Sequence, residues 1–142
     1  MLPVVPPFLL AIAEYIKLRV KGQGVLTRWA FKQGVKAKID AYNKMGHLKN
    51  SVYDATVFDK FHKLLGSNLR IILSSGSALD PALIDFLRSV LSVPILEAYI
   101  STKAGAVCFP AIKDKALSQV GGPLPGYEVS FLPIPELGIH PS

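Results

Sequence analysis

Apolar residues recur at helical spacing through the first third of the chain, then change after residue 66 to short runs bounded by small and turn-forming residues. Leu9, Ile12, Ala13, Ile16 and Val20 form one stripe, which predicts a helix over 8–20 ended by Gly22 and Gly24. Thr27 is placed to cap a second helix running to about Tyr42. A third helix is predicted over 52–65, with Val57, Phe58, Phe61, Leu64 and Leu65 inward and Gly66 as its stop.

The period then changes. Leu69 to Leu73 is a short apolar run before Ser74-Ser75-Gly76-Ser77, the pattern of a buried strand. Asp80-Pro81 reads as a cap followed by proline at the first helical position, opening a helix that buries Leu83, Ile84, Leu87 and Leu91. Pro94 to Tyr99 is a second strand, Gly105 to Phe109 a third, and Tyr127 to Leu132 a fourth beyond the turn-rich 121–126. Strand, helix, strand at this spacing makes a βαβ unit, so the first two strands should run parallel. The fold class expected is α/β, with N-terminal helices ahead of a mostly parallel sheet. Loops 74–78 and 100–104 should then open on one sheet edge, where ligands of such folds sit.

Charge sharpens this division. Residues 1–65 hold 11 Lys and Arg against 4 acids, whereas residues 66–142 hold 5 against 6. An anionic partner, whether phospholipid, nucleic acid or phosphorylated cofactor, would therefore meet the N-terminal half. Arg28, Lys32 and Lys36 share one helix face at i, i+4, i+8, where like charges repel by a few tenths of a kcal/mol per pair. That stripe is either neutralised by acids elsewhere, faces an anion, or is a solvated face.

Cys108 is the only cysteine, so an intrachain disulfide is excluded and a reducing compartment is the default. His47, His62 and His140 lack paired metal-ligand spacing. Met1 to Leu10 carries Pro3, Pro6 and Pro7 and no basic leader, a poor signal peptide. No run reaches the roughly 18 apolar residues that cross a bilayer. Both ends are abrupt, as expected of an internal segment of something larger.

Candidate chemistry concentrates at the two strand ends. Ser74-Ser75-Gly76-Ser77-Ala78 is small and polar, allowing a flat ligand close to the backbone, but lacks the Gly-Lys-Ser/Thr of a phosphate loop. Glu97-Ala98-Tyr99-Ile100-Ser101-Thr102 puts an acid, a ring and two hydroxyls at the second strand end. As bare strings these are also what a strand-to-helix turn and a core tyrosine look like. No Ser-His-Asp set, Cys-His pair or helical HExxH supports a hydrolase or metalloprotease.

In order and at matching spacing, four stretches resemble the adenylate-forming (AMP-binding) superfamily, specifically eukaryotic-type long-chain fatty acyl-CoA synthetases. Val5-Pro6-Pro7-Phe8-Leu9, with Gly24-Val25-Leu26-Thr27-Arg28-Trp29-Ala30-Phe31, resembles the family's helical region with its Leu-Lys-Arg-Trp run. Leu73-Ser74-Ser75-Gly76-Ser77-Ala78-Leu79-Asp80-Pro81 resembles Ser-Gly-Gly-Ala-Pro-Leu-Ser-Pro. Leu96-Glu97-Ala98-Tyr99-Ile100-Ser101-Thr102-Lys103 resembles Glu-Gly-Tyr-Gly-X-Thr-Glu. Val120-Gly121-Gly122-Pro123-Leu124-Pro125-Gly126, with Pro135-Glu136-Leu137, resembles Val-Gly-X-Pro-Leu-Pro-Gly and its downstream acidic turn.

The resemblance implies that residues 1–142 are an internal part of an AMP-dependent ligase domain, with 1–65 a basic helical part and 66–142 a βαβ part. It implies ATP and Mg²⁺ as cofactors, coenzyme A as co-substrate, a fatty acid as substrate and no nucleic acid. The implied location is intracellular, peripheral on endoplasmic reticulum or peroxisome. Gly76, Ser77 and Ala78 would line the adenine and acyl pocket, and Glu97, Ala98, Tyr99, Ile100, Ser101 and Thr102 would also belong to the nucleotide-binding set; Tyr99 would stack on adenine and Thr102 would bind the α-phosphate.

Two departures bear on activity. Lys103 stands where the family has a Mg²⁺-binding glutamate, and an ammonium supplies no oxygen to a hard dication. Ala98 and Ile100 replace the motif glycines, and a β-branched Ile100 reshapes a close ligand approach. No catalytic residue is therefore assigned. The family's phosphate loop, ribose-binding aspartate and catalytic lysine are not matched within these residues, so ligase turnover is not expected from them alone. Two other readings follow: a catalytically dead nucleotide- or acyl-binding remnant, and a membrane-surface protein using the basic helices 8–42 with Trp29, Phe31 and Val35.

Overall fold

The computed structural model describes residues 1–46, 48, 51–66 and 68–138. Its centre is a five-stranded sheet in chain order, formed by β1 (Leu2–Val4), β2 (Ile72–Ser75), β3 (Ile95–Ser101), β4 (Gly105–Phe109) and β5 (Gly122–Pro123). The first three strands run parallel and the last two antiparallel. The fold is α/β, as the sequence pattern implies. β1 was hidden from that pattern because it is three residues long and contains Pro3. Proline is tolerated there because the strand lies at the sheet edge, where a missing N–H breaks no inner ladder.

Helices α1 (Pro6–Lys21), α2 (Val25–Met45) and α5 (Pro81–Leu91) pack on one face of the sheet. Leu9, Ile12, Ala13 and Ile16 of α1 and Phe31 of α2 meet Ile84, Leu87, Val90 and Leu91 of α5 over Ile72 and Ile95. Each such Leu, Ile, Val or Phe side chain, fully buried, contributes about 1.5–3 kcal/mol. The intervening residues of β2 and β3, Leu73, Leu96 and Ala98, turn to the other face and form a smaller cluster with Ile100 and Phe109, the two-residue alternation of a strand. Asp80 caps α5 as expected, its side chain accepting from the Ala82 N–H at 3.0 Å ahead of Pro81.

Other expectations are corrected. Thr27 does not cap α2; the helix begins at Val25 behind Gly24, with no side-chain cap. The third helix is present but ends at His62, not 65, and changes winding within: α3 (Ser51–Tyr53) runs into a π turn (Asp54–Phe58) and on into α4 (Asp59–His62). The π turn turns Phe58 fully inward against Phe31, ring centroids 5.4 Å apart, while Leu64 is exposed rather than core. β2 lies at 72–75 rather than 69–73, so Ser74 and Ser75 belong to the strand and not to the loop after it. Residues 127–132 form no strand; the partner of β4 is Gly122–Pro123, inside the segment read as turns. Gly121 permits this return, since a Cβ there would lie 2.1 Å from the Phe109 carbonyl oxygen.

Candidate functional site

β2 and β3 are adjacent and parallel with Ser74 opposite Glu97 and Ser75 opposite Ala98, so their carboxyl ends open on one edge of the sheet. Gly76, Ser77 and Ala78 leave β2 exposed, and Leu79 then turns inward. Gly76 has φ +104°, a conformation open to glycine and strained for any side chain even though nothing crowds it. Glu97 fixes this loop: its Oε1 accepts the Leu79 N–H at 2.9 Å in a buried setting. A carboxylate on one strand thus holds the loop following its neighbour, and the two ends become one surface.

β3 runs three residues past its pairing with β2 and turns into β4, with a register shift between Tyr99 and Ile100. The Tyr99 ring is half exposed, whereas Ala98 is buried and Ile100 packs into the Leu73–Leu96 cluster. The Ser101 hydroxyl accepts from the backbone N–H of Lys103 and Ala104 at 3.1 and 3.2 Å and so closes the hairpin turn. Thr102 and Lys103 stand exposed at its tip. Tyr127 reaches back over it, its hydroxyl donating to the Ala104 carbonyl at 2.7 Å.

The sequence-selected residues therefore fall into two groups. Gly76, Ser77, Ala78, Tyr99 and Thr102 present surface at the sheet edge, while Glu97, Ala98, Ile100 and Ser101 build the frame beneath it. Backbone at 76–78 and the Tyr99 ring are both exposed at this edge. A divalent cation does not fit the turn, which offers hydroxyls and an ammonium but no carboxylate at residues 101–104. Among the described residues no group of three or more His, Cys, Asp or Glu is arranged to hold a metal. His47 and His140 lie outside the described residues.

A second polar constellation escaped the sequence reading. Lys38 is buried, its Nζ bonded to Asp54 Oδ1 and Ser92 Oγ and 5.0 Å from the Phe58 ring centroid. The Ser92 hydroxyl donates to Asp54 at 3.1 Å and lies 2.9 Å from His62 Nε2. Burial holds the Lys38 ammonium below its ordinary range, opposed by Asp54, and holds His62 low as well. The set resembles a hydrolytic triad only in composition. Asp54 and Ser92 share one nitrogen of His62, with Asp54 Oδ1 at 3.6 Å, so the carboxylate cannot orient the ring through its far nitrogen. Instead the cluster joins α2, the π turn, α4 and the end of α5. The available signal was that Lys38 shares the buried stripe of Phe31, Gly34 and Tyr42 on α2.

The chain matches the family described as "AMP-binding enzyme" over residues 1–138. It is 31% identical over 137 residues to a human protein named long-chain-fatty-acid–CoA ligase 6, covering 95% of this chain and 19% of that one. A Dictyostelium discoideum fatty acyl-CoA synthetase A is 29% identical over 83% of this chain and 18% of its own length. A peroxisomal long chain acyl-CoA synthetase 7 of Arabidopsis thaliana is 31% identical over 94% of this chain and 19% of its own. Among solved structures, the A-PCP didomain of a carboxylic acid reductase from Segniliparus rugosus, in complex with AMP, matches 96% of this chain and 15% of that chain at 22% identity and TM-score 0.47. The chain thus spans about a fifth of the length of the curated relatives it matches. With the match running from the first strand through the β4–β5 hairpin and beyond, the chain belongs to the AMP-binding enzyme family.

Proposed function

We propose that this chain supplies the adenylate-holding edge of an ATP-dependent long-chain fatty acid–CoA ligase. In that reaction ATP and a fatty acid give an acyl-adenylate and pyrophosphate, and the thiol of coenzyme A then displaces AMP. The observation that carries the proposal is the paired strand end: the exposed Gly76–Ala78 loop, tied by Glu97 to the strand that presents Tyr99. The loop admits the purine against bare backbone, the Tyr99 ring stacks on it, and Thr102 at the hairpin tip donates to the α-phosphate. Residues that amount to a fifth of the relatives' length are expected to bind the adenylate without turning it over. The same reading puts the protein inside the cell, peripheral to the endoplasmic reticulum or a peroxisome.

The test is calorimetric titration of the 142-residue chain with AMP and with a non-hydrolysable long-chain acyl-adenylate analogue. Both should bind, the analogue more tightly. Tyr99→Ala should weaken both by roughly tenfold or more, the usual worth of a base stacked on an aromatic ring. Absence of binding, or indifference to Tyr99→Ala, removes the reading.

Lys103 favours a second reading, in which the site binds nucleotide or acyl-adenylate without metal and catalyses nothing. Lys103→Glu separates the two. If the native chain gains as much ATP affinity from Mg²⁺ as the variant does, the non-catalytic reading fails; a gain confined to the variant supports it.

A further inference from the structure

Between Tyr15 and Ile39 the chain has seven Lys and Arg and no acid. Lys38 is buried in the polar cluster; the other six, Lys17, Arg19, Lys21, Arg28, Lys32 and Lys36, are exposed. Lys17 pairs with Glu14 and Arg19 lies on Tyr15, but Lys21, Arg28, Lys32 and Lys36 have no ion pair among the described residues. The same α1–α2 hairpin carries large apolar side chains that its own core leaves out. Leu18 is 66% exposed, Val25 74%, Leu26 77% and Trp29 60%. On α2 the residues Val25, Arg28, Trp29, Lys32 and Lys36 share one helical face by their spacing, away from the core stripe of Phe31, Gly34 and Tyr42. Between that face and α1 runs an open groove of about 610 Å³, to which Lys17, Lys21, Arg28 and Lys32 contribute cations and Trp29 its ring.

We infer that this hairpin tip docks on an anionic bilayer surface, Val25, Leu26 and Trp29 entering the headgroup boundary while the surrounding cations meet lipid phosphates and carboxylates. Charge complementarity selects this occupant. A face with four unpaired cations repels another copy of itself, whereas negative lipids attract it at about a fivefold gain in affinity per cation. Shape agrees: the apolar residues stand at the connection between two helices, ready to insert, instead of lining an enclosed pocket. A basic rim around an apolar face with tryptophan is the pattern of interfacial binding. The inference deepens the peripheral-membrane part of the proposed function and uses no adenylate-site residue, so nucleotide titration reports on one and vesicle binding on the other.

Trp29 is the only tryptophan, so its emission reports directly on this surface. The full 142-residue chain is mixed with vesicles of phosphatidylcholine alone or with about one-third phosphatidylserine, a composition that gives a negative surface potential. Expected are a blue shift of Trp29 and co-flotation with the anionic vesicles only, both reversed by high salt as screening shortens. Arg28→Glu with Lys32→Glu should lower binding at least 25-fold, two fivefold losses from the cations before any repulsion. Val25→Ser with Leu26→Ser should abolish the blue shift. All four positions are exposed, so circular dichroism should not change in either variant. Equal binding to neutral vesicles, no binding, or unaltered binding by the variants overturns the inference. So does a blue shift of the same size with a soluble inositol polyphosphate and no vesicles, which would make this a site for a free anion.

Discussion

Residues up to Phe109 and residues 110–138 both carry many apolar side chains, yet the buried core comes from the first set, with Leu117 of the second packed at its margin. Leu9, Phe58, Ile72 and Leu87 are sealed from solvent, while Phe131 and Leu132 are 78% exposed and Leu137 71%. The difference is one of partners. In the first region every strand has a hydrogen-bonded neighbour, and one face of the sheet lies under three helices. The second holds a two-residue strand, one 3-10 turn at Pro135–Leu137 and tethers such as Tyr127 to Ala104. Apolar alternation specifies which face of a strand would be buried, but a strand exists only where another strand accepts its backbone.

The largest contrast is expected from paired truncations. Leu87→Ala opens a cavity among α1, α5 and the sheet and should cost about 2–5 kcal/mol. Phe131→Ser removes a larger side chain and should change stability by less than about 0.5 kcal/mol, because little of it is withdrawn from water. Urea unfolding of the two variants decides this. Comparable losses would mean that residues 110–138 are part of the cooperative core.

A smaller effect is expected from the polar cluster within the first region. Asp54→Ala leaves the Lys38 ammonium buried without its carboxylate partner. Loss of one member of a wholly buried pair costs roughly 3–5 kcal/mol; here water reaches Asp54, and we expect about 2–3. Lys38→Met in the same background should recover much of the loss, since the uncompensated charge goes with it. Failure of that rescue would show that Asp54 acts through other contacts.

The sequence reading succeeded where the deciding interaction is local. The α1 stripe and the Asp80-Pro81 cap depend on neighbours within a few residues, and each is found; the βαβ order follows from the succession of periods along the chain, and it too is found. Thr27 is a local failure, α2 starting at Val25 behind Gly24; those at 74–75 and 127–132 have distant partners. Residues 127–132 alternate like a strand, but Gly122–Pro123 occupies the edge of β4. Ser74 and Ser75 are polar, yet β1 and β3 pair with Ser74 and β3 with Ser75, drawing both into β2. The site divides the same way. Exposure of Gly76–Ala78 and Tyr99 follows from glycine, small residues and strand ends, whereas the Glu97–Leu79 bond spans 18 residues and no string reveals it. Lys38, Asp54, His62 and Ser92 are drawn from four separate segments for the same reason.

The smallest effect, and the one that best resolves that cluster, is its pH dependence. Burial holds His62 below 6.5; the Lys38 charge adds to this, while Asp54, Asp59 and a backbone bond with Val90 oppose it. The unfolded chain therefore binds this proton more tightly than the folded protein. Stability should be full above the unfolded value, fall as pH drops below about 6.5, and level off beneath the lowered folded value. Lys38 acts with the same sign in a separate window, between its lowered value and 10.5, where stability rises with pH. His62→Gln keeps a polar group beside Ser92 and removes the titration. The difference in urea midpoint between wild type and His62→Gln should thus slope below about pH 6.5 and be flat above it, with the alkaline rise from Lys38 present in both. A flat difference throughout would mean that His62 keeps its ordinary proton affinity, Asp54 offsetting burial in full.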